Sequence, residues 1–154
     1  MEATLYFDGG IRKGQMAYGY LLVDMLDENE VLKSGNRTCG TGTSNIAEYR
    51  ALIAGLKGSL QHGVKIIHII GDSQLVIKQL TGAFKADKTE LRAHRDYVLD
   101  LLDKFEFYTL KWVPRNQNKR ADALVNAVFE RRAEKCEQKT RKQRNKEMRK
   151  RLSS

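Results

Sequence analysis

Four acidic residues stand where predicted strands end or predicted helices begin. Asp8 follows a short apolar strand, Glu48 lies in the first turns of a helix, Asp72 follows the apolar run "VKIIHII", and Asp122 opens the last helix, at intervals of 40, 24 and 50 residues. Sites in open α/β sheets form at strand ends and the adjoining helix starts, so these side chains could meet. Clustered carboxylates raise one another's pKa unless cations neutralise them, and Mg²⁺ prefers carboxylate oxygen. The pattern favours a two-metal site that activates water against a phosphodiester.

Each of these residues also has a purely structural interpretation. Asp8 could serve a turn with the two glycines that follow it, since the "DGG" sequence is a turn signal. Asn45 and Glu48 match the cap and the third position of a capping box, and Asp72 could cap the helix that follows it. Asp122 could complement a helix dipole. The sequence alone leaves these alternatives open.

The hydrophobic periodicity predicts a mixed α/β domain. Apolar runs and alternating segments predict strands at 3–7, 16–24, 30–38, 64–70 and 105–113, the first of which ends at a turn. Helical spacing predicts helices at 44–61, 73–80 and 90–105, and a last helix from 121 that could continue into the tail. The run "VKIIHII" is apolar on both faces, as in an interior strand covered on two sides. The element order predicts a mixed sheet with helices on both faces.

Positive charge is concentrated at the end of the chain. The formal net charge is +9, and residues 131–154 hold 11 of the 28 Lys and Arg residues but only 3 of the 19 acidic ones. We therefore divide the chain into a catalytic domain at 1–130 and a basic extension at 131–154, either helical or disordered. Such a run is usually solvated, but it is also typical of a segment that binds a polyanion.

Composition favours an intracellular protein. The chain has no apolar stretch of the roughly 20 residues that a membrane helix requires, and "MEATLYFDGG" lacks the layout of a signal peptide. Cys39 and Cys136 are far apart in sequence and in no metal-ligand spacing. We expect reduced thiols, a cytoplasmic location, no membrane partner and no obligate protein partner.

Four segments resemble the motifs of a known family. They are "YFDGG" at 6–10, "TSNIAEYRAL" at 43–52, "GDSQLVIKQL" at 71–80 and "WVPRNQNKRADAL" at 112–124. In this order, they resemble the compact archaeal and bacterial branch of the type 1 ribonucleases H. The resemblance implies a ribonuclease H-like fold, in which a five-stranded mixed sheet of three antiparallel and then two parallel strands carries helices on both faces.

The resemblance also implies an activity, which is endonucleolytic hydrolysis of the RNA strand of RNA–DNA hybrids with two Mg²⁺ ions, for which Mn²⁺ could substitute. Asp8, Glu48, Asp72 and Asp122 would be both the catalytic residues and the metal ligands. Asp8 would bridge the two ions, and Asp122 would help to hold the ion that activates water. Glu48 and Asp72 would hold the other ion.

Five further residues stand at substrate-binding positions of the family, and four of them match the family's residue types. Asn45 and Gln74 would contact the minor groove and 2′-hydroxyls, for which amides are suited because a hydroxyl both donates and accepts. Thr43 matches a phosphate pocket, and Ser44 stands where many members have asparagine. Arg115 would contact substrate or product.

The chain departs from many family members in three segments. The segment after Asp8 is shorter than the usual loop, and the loop before Asp122 has no histidine. The basic insertion that grips the hybrid in some members is also absent, because "GAFKADKTELR" is too short to contain it. The basic tail therefore becomes an alternative grip.

Two other functions are compatible with the same fold. The first is a nuclease for double-stranded RNA or junction DNA, and the second is a noncatalytic hybrid-binding module. The "GDSQ" and "NKRADAL" segments favour ribonuclease H over the first, and the presence of all four carboxylates favours it over the second.

Overall fold

The computed structural model describes residues 1–153 and contains one five-stranded sheet in the order β3-β2-β1-β4-β5. The strands are β1 Glu2–Arg12, β2 Gln15–Asp24, β3 Val31–Thr41, β4 Ile66–Gly71 and β5 Phe107–Trp112. The helices are α1 Ser44–Gln61, α2 Gln74–Thr81, α3 Thr89–Leu102 and α4 Lys119–Ser153, with a short 3₁₀ turn at Arg115–Gln117. Strands β1, β2 and β3 pair antiparallel, whereas β4 pairs parallel with both β1 and β5. The predicted mixed sheet is confirmed.

Strand β1 lies at the centre of the sheet and divides its side chains between two helical layers. Ala3, Leu5 and Phe7 are fully buried in the main core, which α1 and α3 complete. The other face is covered by α4, whose Val125, Val128 and Phe129 pack on Ala17 of β2. Because side chains alternate across a strand, Asp8 lies on the α4 face while Gly9 faces α1.

The prediction that the first strand ends at a turn over Asp8–Gly10 is wrong. Gly9 pairs with Tyr18 and Gly10 with Ala17, so β1 continues to Arg12. The turn lies at Lys13 and Gly14, whose φ values are 50° and 76°. Two consecutive residues with positive φ suit a two-residue hairpin, because the backbone twist then matches that of the strands.

Gly9 is required by packing rather than by a turn. A Cβ on Gly9 would lie 2.3 Å from the carbonyl carbon of Ala47 and from the backbone nitrogen of Glu48. The first turns of α1 therefore rest directly on the backbone of β1. This contact fixes the position of Glu48 relative to Asp8, the residue that precedes Gly9 in β1.

Helix α4 extends well past the sheet. Its buried residues are Ala121, Val125, Val128 and Phe129, and residues 131–153 are exposed throughout. The predicted extension of the last helix into the tail is thus realised as one continuous helix. None of the helices within residues 1–153 is long and apolar enough to cross a membrane.

We predict that Gly9→Ala destabilises the fold by about 2 kcal/mol or more, because the new methyl group overlaps the backbone of α1. Gly10→Ala is the matched control, since its Cβ would meet only the Val125 Cγ1 atom at 3.2 Å and the Phe129 Cε2 atom at 3.5 Å. The side chain of Val125 can shift by a few tenths of an ångström, so we expect a change below about 1 kcal/mol. Urea denaturation of both variants tests this, and equal losses would contradict the proposed contact.

Candidate active site

The carboxylates meet because of the strand register. Strands β1 and β4 run parallel, and Phe7 is paired with Gly71. The next residues, Asp8 within β1 and Asp72 immediately after β4, therefore lie side by side. The indole Nε1 of Trp112, at the end of β5, donates a hydrogen bond of 3.0 Å to the Asp72 carbonyl oxygen and fixes the backbone there.

Asp8, Glu48 and Asp72 form a close cluster. Each offers a carboxylate oxygen, and the three atoms lie within 4.8 Å of one another. Asp8 is 5% exposed and Glu48 is 8% exposed, so both are largely removed from water. The Gly9 N–H hydrogen-bonds to Glu48, but the Glu48 Oε2 atom is buried without a hydrogen-bond partner. A buried carboxylate oxygen left in this state is costly unless a cation or proton satisfies it.

Burial raises the pKa of all three carboxyl groups, and repulsion from neighbouring carboxylates adds to it. Burial is the main cause at Asp8, with the charge of Asp72 adding to it, and together they raise the pKa of Asp8 to about 8. Burial also raises the pKa of Glu48 well above its usual range, with contributions from Asp8 and Asp72. The pKa of Asp72 is raised by burial, although a hydrogen bond from Asn118 and the charge of Arg115 oppose this. Without a metal ion, burial and repulsion therefore favour the protonated form of Asp8 near neutral pH.

Asp122 lies in the same cleft, outside the close cluster. Its Oδ1 accepts a hydrogen bond of 3.2 Å from the Arg115 Nη2 atom, and its Oδ2 accepts one of 3.3 Å from the Asn126 Nδ2 atom. The cleft has a volume of about 310 Å³ and is lined by all four carboxylates, together with Ser44, Arg115 and others. No histidine lines it among the described residues. The cations that line it are Arg12 and Arg115, and the Arg115 side chain is 78% exposed.

The capping interpretations of Glu48 and Asp72 are wrong. Thr43 caps α1, because its Oγ1 accepts a hydrogen bond from the Ile46 N–H at 3.3 Å. Ser73 caps α2 in the same way, through the Val76 N–H. Neither Glu48 nor Asp72 serves as a helix cap, so the capping requirement does not explain their presence. Asp122 does lie in the first turn of α4, where it suits the helix dipole.

The predicted substrate-binding residues are distributed around the cleft. Ser44 and Arg115 line it directly. Thr43 and Gln74 are exposed in the first turns of their helices, and Asn45 is half-buried in the first turn of α1. Thr43 already uses its hydroxyl as the α1 cap, which leaves the oxygen near the helix N-terminus. Their contacts with substrate remain predictions.

Asn118 is a site residue that the sequence reasoning missed. Its side chain is 1% exposed, and its Nδ2 donates a hydrogen bond of 2.9 Å to the Phe7 carbonyl oxygen. The same amide hydrogen-bonds to Asp72 and lowers the pKa of that carboxyl group. Asn118 thus ties the start of α4 to the middle of β1 and to the residue that follows β4. In sequence it is one of several polar residues in a loop, so no local signal distinguishes it.

A second missed group supports Asp122. The Arg12 Nη2 atom donates to the Asn126 Oδ1 atom at 3.3 Å, and the Arg12 guanidinium stacks over the Phe129 ring at 4.9 Å. Asn126 in turn donates to Asp122. The spacing of four residues between Asp122 and Asn126 places them on one helix face, and this signal could have identified Asn126.

The donor set fits a hard divalent cation. Oxygen is the only ligand type that the cluster offers, and Mg²⁺ and Mn²⁺ favour oxygen ligands. The unpartnered Oε2 of Glu48 and the repulsion within the cluster are both relieved by a cation. Asp8, Glu48 and Asp72 could therefore hold a metal ion.

Comparison with known proteins gives consistent matches. Residues 6–128 match the model of the reverse transcriptase-like family. Ribonuclease HI of Halobacterium salinarum is 42% identical over 127 residues, which are 81% of this chain and 63% of that protein. The bifunctional protein Rv2228c of Mycobacterium tuberculosis is 33% identical over 131 residues, which are 84% of this chain and 36% of that protein. The chain thus spans less than two thirds of the length of either relative.

Solved structures show the same fold. The crystal structure of the Halobacterium salinarum RNase H1 superposes with a TM-score of 0.80 at 40% identity, covering 84% of this chain and 98% of that one. The N-terminal RNase H domain of Rv2228c gives a TM-score of 0.82 at 31% identity, covering 88% and 98%. LC11-RNase H1, solved in complex with an RNA/DNA hybrid, gives 0.77 at 25% identity, covering 85% and 99%. With these matches, and with four carboxylates lining one cleft, this chain belongs to the type 1 ribonucleases H of the reverse transcriptase-like family.

Proposed function

We propose that this chain is a metal-dependent endonuclease that hydrolyses the RNA strand of RNA–DNA hybrids by a two-metal-ion mechanism. The single observation that carries the proposal is the close cluster of Asp8, Glu48 and Asp72, in which Asp8 and Glu48 are buried and one Glu48 oxygen has no hydrogen-bond partner. Family membership supports the reaction, and the hybrid bound to LC11-RNase H1 supports the substrate.

The four carboxylates would hold two Mg²⁺ ions, with Mn²⁺ as a substitute. Asp8, at the centre of the cluster, would be shared between the ions, Glu48 and Asp72 would hold one, and Asp122 would help to hold the other. Bound ions of this kind lower the pKa of water and stabilise the leaving oxygen of a phosphodiester.

The chain's own residues would orient the reacting groups. Arg115 and Asn126 each hold one oxygen of Asp122, which restricts the rotation of that carboxylate. Asn118 likewise hydrogen-bonds to the Asp72 carboxylate, and it also holds the Phe7 carbonyl oxygen of β1. Arg115 is exposed at the cleft edge, so its remaining N–H groups can donate to a phosphate of the substrate.

Discrimination of RNA from DNA would depend on the ribose 2′-hydroxyl. Asn45 lies in the first turn of α1, and Gln74 is the first residue of α2. Each is two residues beyond a residue of the candidate site, Thr43 and Asp72 respectively. Their amides can both donate to and accept from a hydroxyl. Glu48, on the turn after Asn45, would lie nearest to this group. Thr43 and Ser44 would contact a phosphate near the α1 N-terminus.

We predict that the protein cuts the RNA strand of a strand-labelled hybrid in Mg²⁺ and cuts nothing in a chelator. A single deoxynucleotide in the RNA strand should abolish cleavage at that position, because the 2′-hydroxyl there is missing. Labelled double-stranded RNA, junction DNA and duplex DNA are the comparison substrates. Equal cutting of duplex DNA, or cleavage in the chelator, would contradict the proposal.

We further predict that Asp8→Asn has opposite effects on activity and on stability. Loss of a residue that supports a ligand costs 10–100-fold in many metal sites, so loss of the ligand itself should cost at least about 100-fold in cleavage. With no metal present, the same variant should be more stable than the unaltered chain near pH 7.5, because it removes a buried group that the folded chain keeps only by binding a proton that the unfolded chain releases.

The sign of the pH dependence follows from the raised pKa of Asp8, about 8 in the folded chain. Between about pH 4 and pH 8 the folded chain keeps a proton that the unfolded chain releases, so stability falls as pH rises, by on the order of a few kcal/mol. Thermal melts in a chelator across this range should show that fall, and Asp8→Asn should flatten it. Asp100→Asn, an exposed change on α3, is the control and should alter neither activity nor slope. A stability curve that rises from pH 5 to pH 8 would contradict the burial of repelling carboxylates.

A further inference from the structure

The projecting part of α4, residues 131–153, is a charged surface that the cleft does not explain. All of its residues are exposed, and over its length the rise of an α-helix gives about 34 Å. It holds 11 Lys and Arg residues against 3 Glu, whereas residues 1–130 hold 17 against 16. The catalytic body is thus nearly neutral and carries an acidic cleft, while the excess positive charge projects from it.

The basic residues form a stripe along one helix face. Over the sheet, the face of α4 that includes Ala121 and Val128 is buried. At Arg132 this face passes from buried apolar residues to exposed basic ones. The Arg132 Nη1 atom donates a hydrogen bond of 3.3 Å to the Gln15 Oε1 atom, at the β1–β2 hairpin. The stripe then continues at spacings of four and three through Lys135, Lys139, Lys142, Lys146 and Arg149. Residues spaced in this way share one face of a helix.

We propose that this stripe is a second nucleic-acid-binding surface, which holds the phosphate backbone of the RNA–DNA hybrid outside the cleft. The inference rests on the proposed function, because the hybrid is the polyanion that the cleft would cut. Neighbouring stripe residues are separated by about 5 Å along the helix axis. A duplex carries one negative charge per about 1.7 Å of axis, so each basic side chain can find a phosphate.

The charge pattern also favours a polyanion over other partners. Basic residues at spacings of three and four repel one another, and a polyanion removes that repulsion. A coiled coil or a membrane-surface helix requires an apolar stripe. Beyond Cys136 the apolar residues of the described helix are Met148 and Leu152, which are 60% and 82% exposed. Two residues near the end of the helix cannot supply such a stripe.

The continuous helix that joins the stripe to the site gives the surface a place in catalysis. Asp122 lies in the first turn of the same helix whose far part carries the stripe. Contacts between the stripe and the backbone would therefore orient the duplex relative to the carboxylates, and would supply affinity that the nearly neutral body lacks.

The test compares two triple variants of the full chain that change net charge equally. K139Q/K142Q/K146Q removes three charges from the stripe, and K65Q/K88Q/K104Q removes three from exposed positions on the body, so both lower the formal charge from +9 to +6. Glutamine and lysine have similar helix propensities, and far-UV circular dichroism checks that the helix is kept. A Lys→Arg triple at the stripe positions retains the charge.

Binding of labelled hybrid is measured in a chelator at several KCl concentrations. Each phosphate contact contributes roughly 0.9 to the slope of log affinity against log salt. The stripe variant should therefore lose about 2 to 3 units of slope and bind roughly tenfold or more weakly at about 0.1 M salt. The body variant and the Lys→Arg variant should keep the slope of the unaltered chain, and KM for cleavage should rise only in the stripe variant.

An unchanged slope in the stripe variant, or equal losses in the stripe and body variants, would overturn the inference. So would weaker binding of the stripe variant to phosphatidylserine vesicles with unchanged binding to hybrid, which would assign the stripe to a membrane surface. Failure of the proposed function gives a different result: the unaltered chain would bind hybrid with a steep salt dependence and leave the RNA strand intact in Mg²⁺.

Discussion

The repulsion among Asp8, Glu48 and Asp72 is the constraint to which the rest of the structure responds. Three carboxylate oxygens within 4.8 Å of one another, on two largely buried residues and one half-buried residue, are unfavourable in the absence of a cation or protons. The fold holds them there through its backbone. Parallel pairing of β1 and β4 fixes the two aspartates, and the contact of α1 with Gly9 fixes the glutamate. Tertiary packing therefore maintains a site whose local electrostatics oppose folding.

At the periphery of the cleft, the carboxylate of Asp122 is paired with a cation and an amide, whereas the carboxylates of the cluster repel one another. Asp122 is partnered by Arg115 and Asn126, and Arg12 extends that network to the Phe129 ring. The same helix carries the network at its start and the basic stripe in its exposed part. One continuous element thus connects a site that attracts cations to a surface that attracts phosphates. A nearly neutral body with an acidic cleft would otherwise have little electrostatic attraction for a nucleic acid.

The sequence predicted the parts of this arrangement that depend on local pattern. Asp8 and Asp72 each follow an apolar strand, so their meeting at one sheet edge could be anticipated from parallel pairing. The continuation of β1 past Asp8 could not be anticipated, because "DGG" has the composition of a turn, whereas Gly9 faces α1 and Gly10 faces α4. The predicted cap of α1, Asn45, lies two residues after the observed cap, Thr43, because "TGTSN" offers several residues that can cap a helix. Asn118 was missed because its importance arises from burial against Phe7 and Asp72, which only the tertiary structure brings together.

The central claim is that the carboxylate cluster exchanges protons for metal ions. The most direct measurement is calorimetric titration of the metal-free chain with Mn²⁺ at pH 7, in buffers of different ionisation enthalpy, which counts the protons released. Because the pKa of Asp8 is raised to about 8, this group is mostly protonated at pH 7 before the metal binds. We expect release of about one proton or more per chain, and a smaller release from Asp8→Asn. Heats that are identical in all buffers, with metal binding saturated, would contradict the claim.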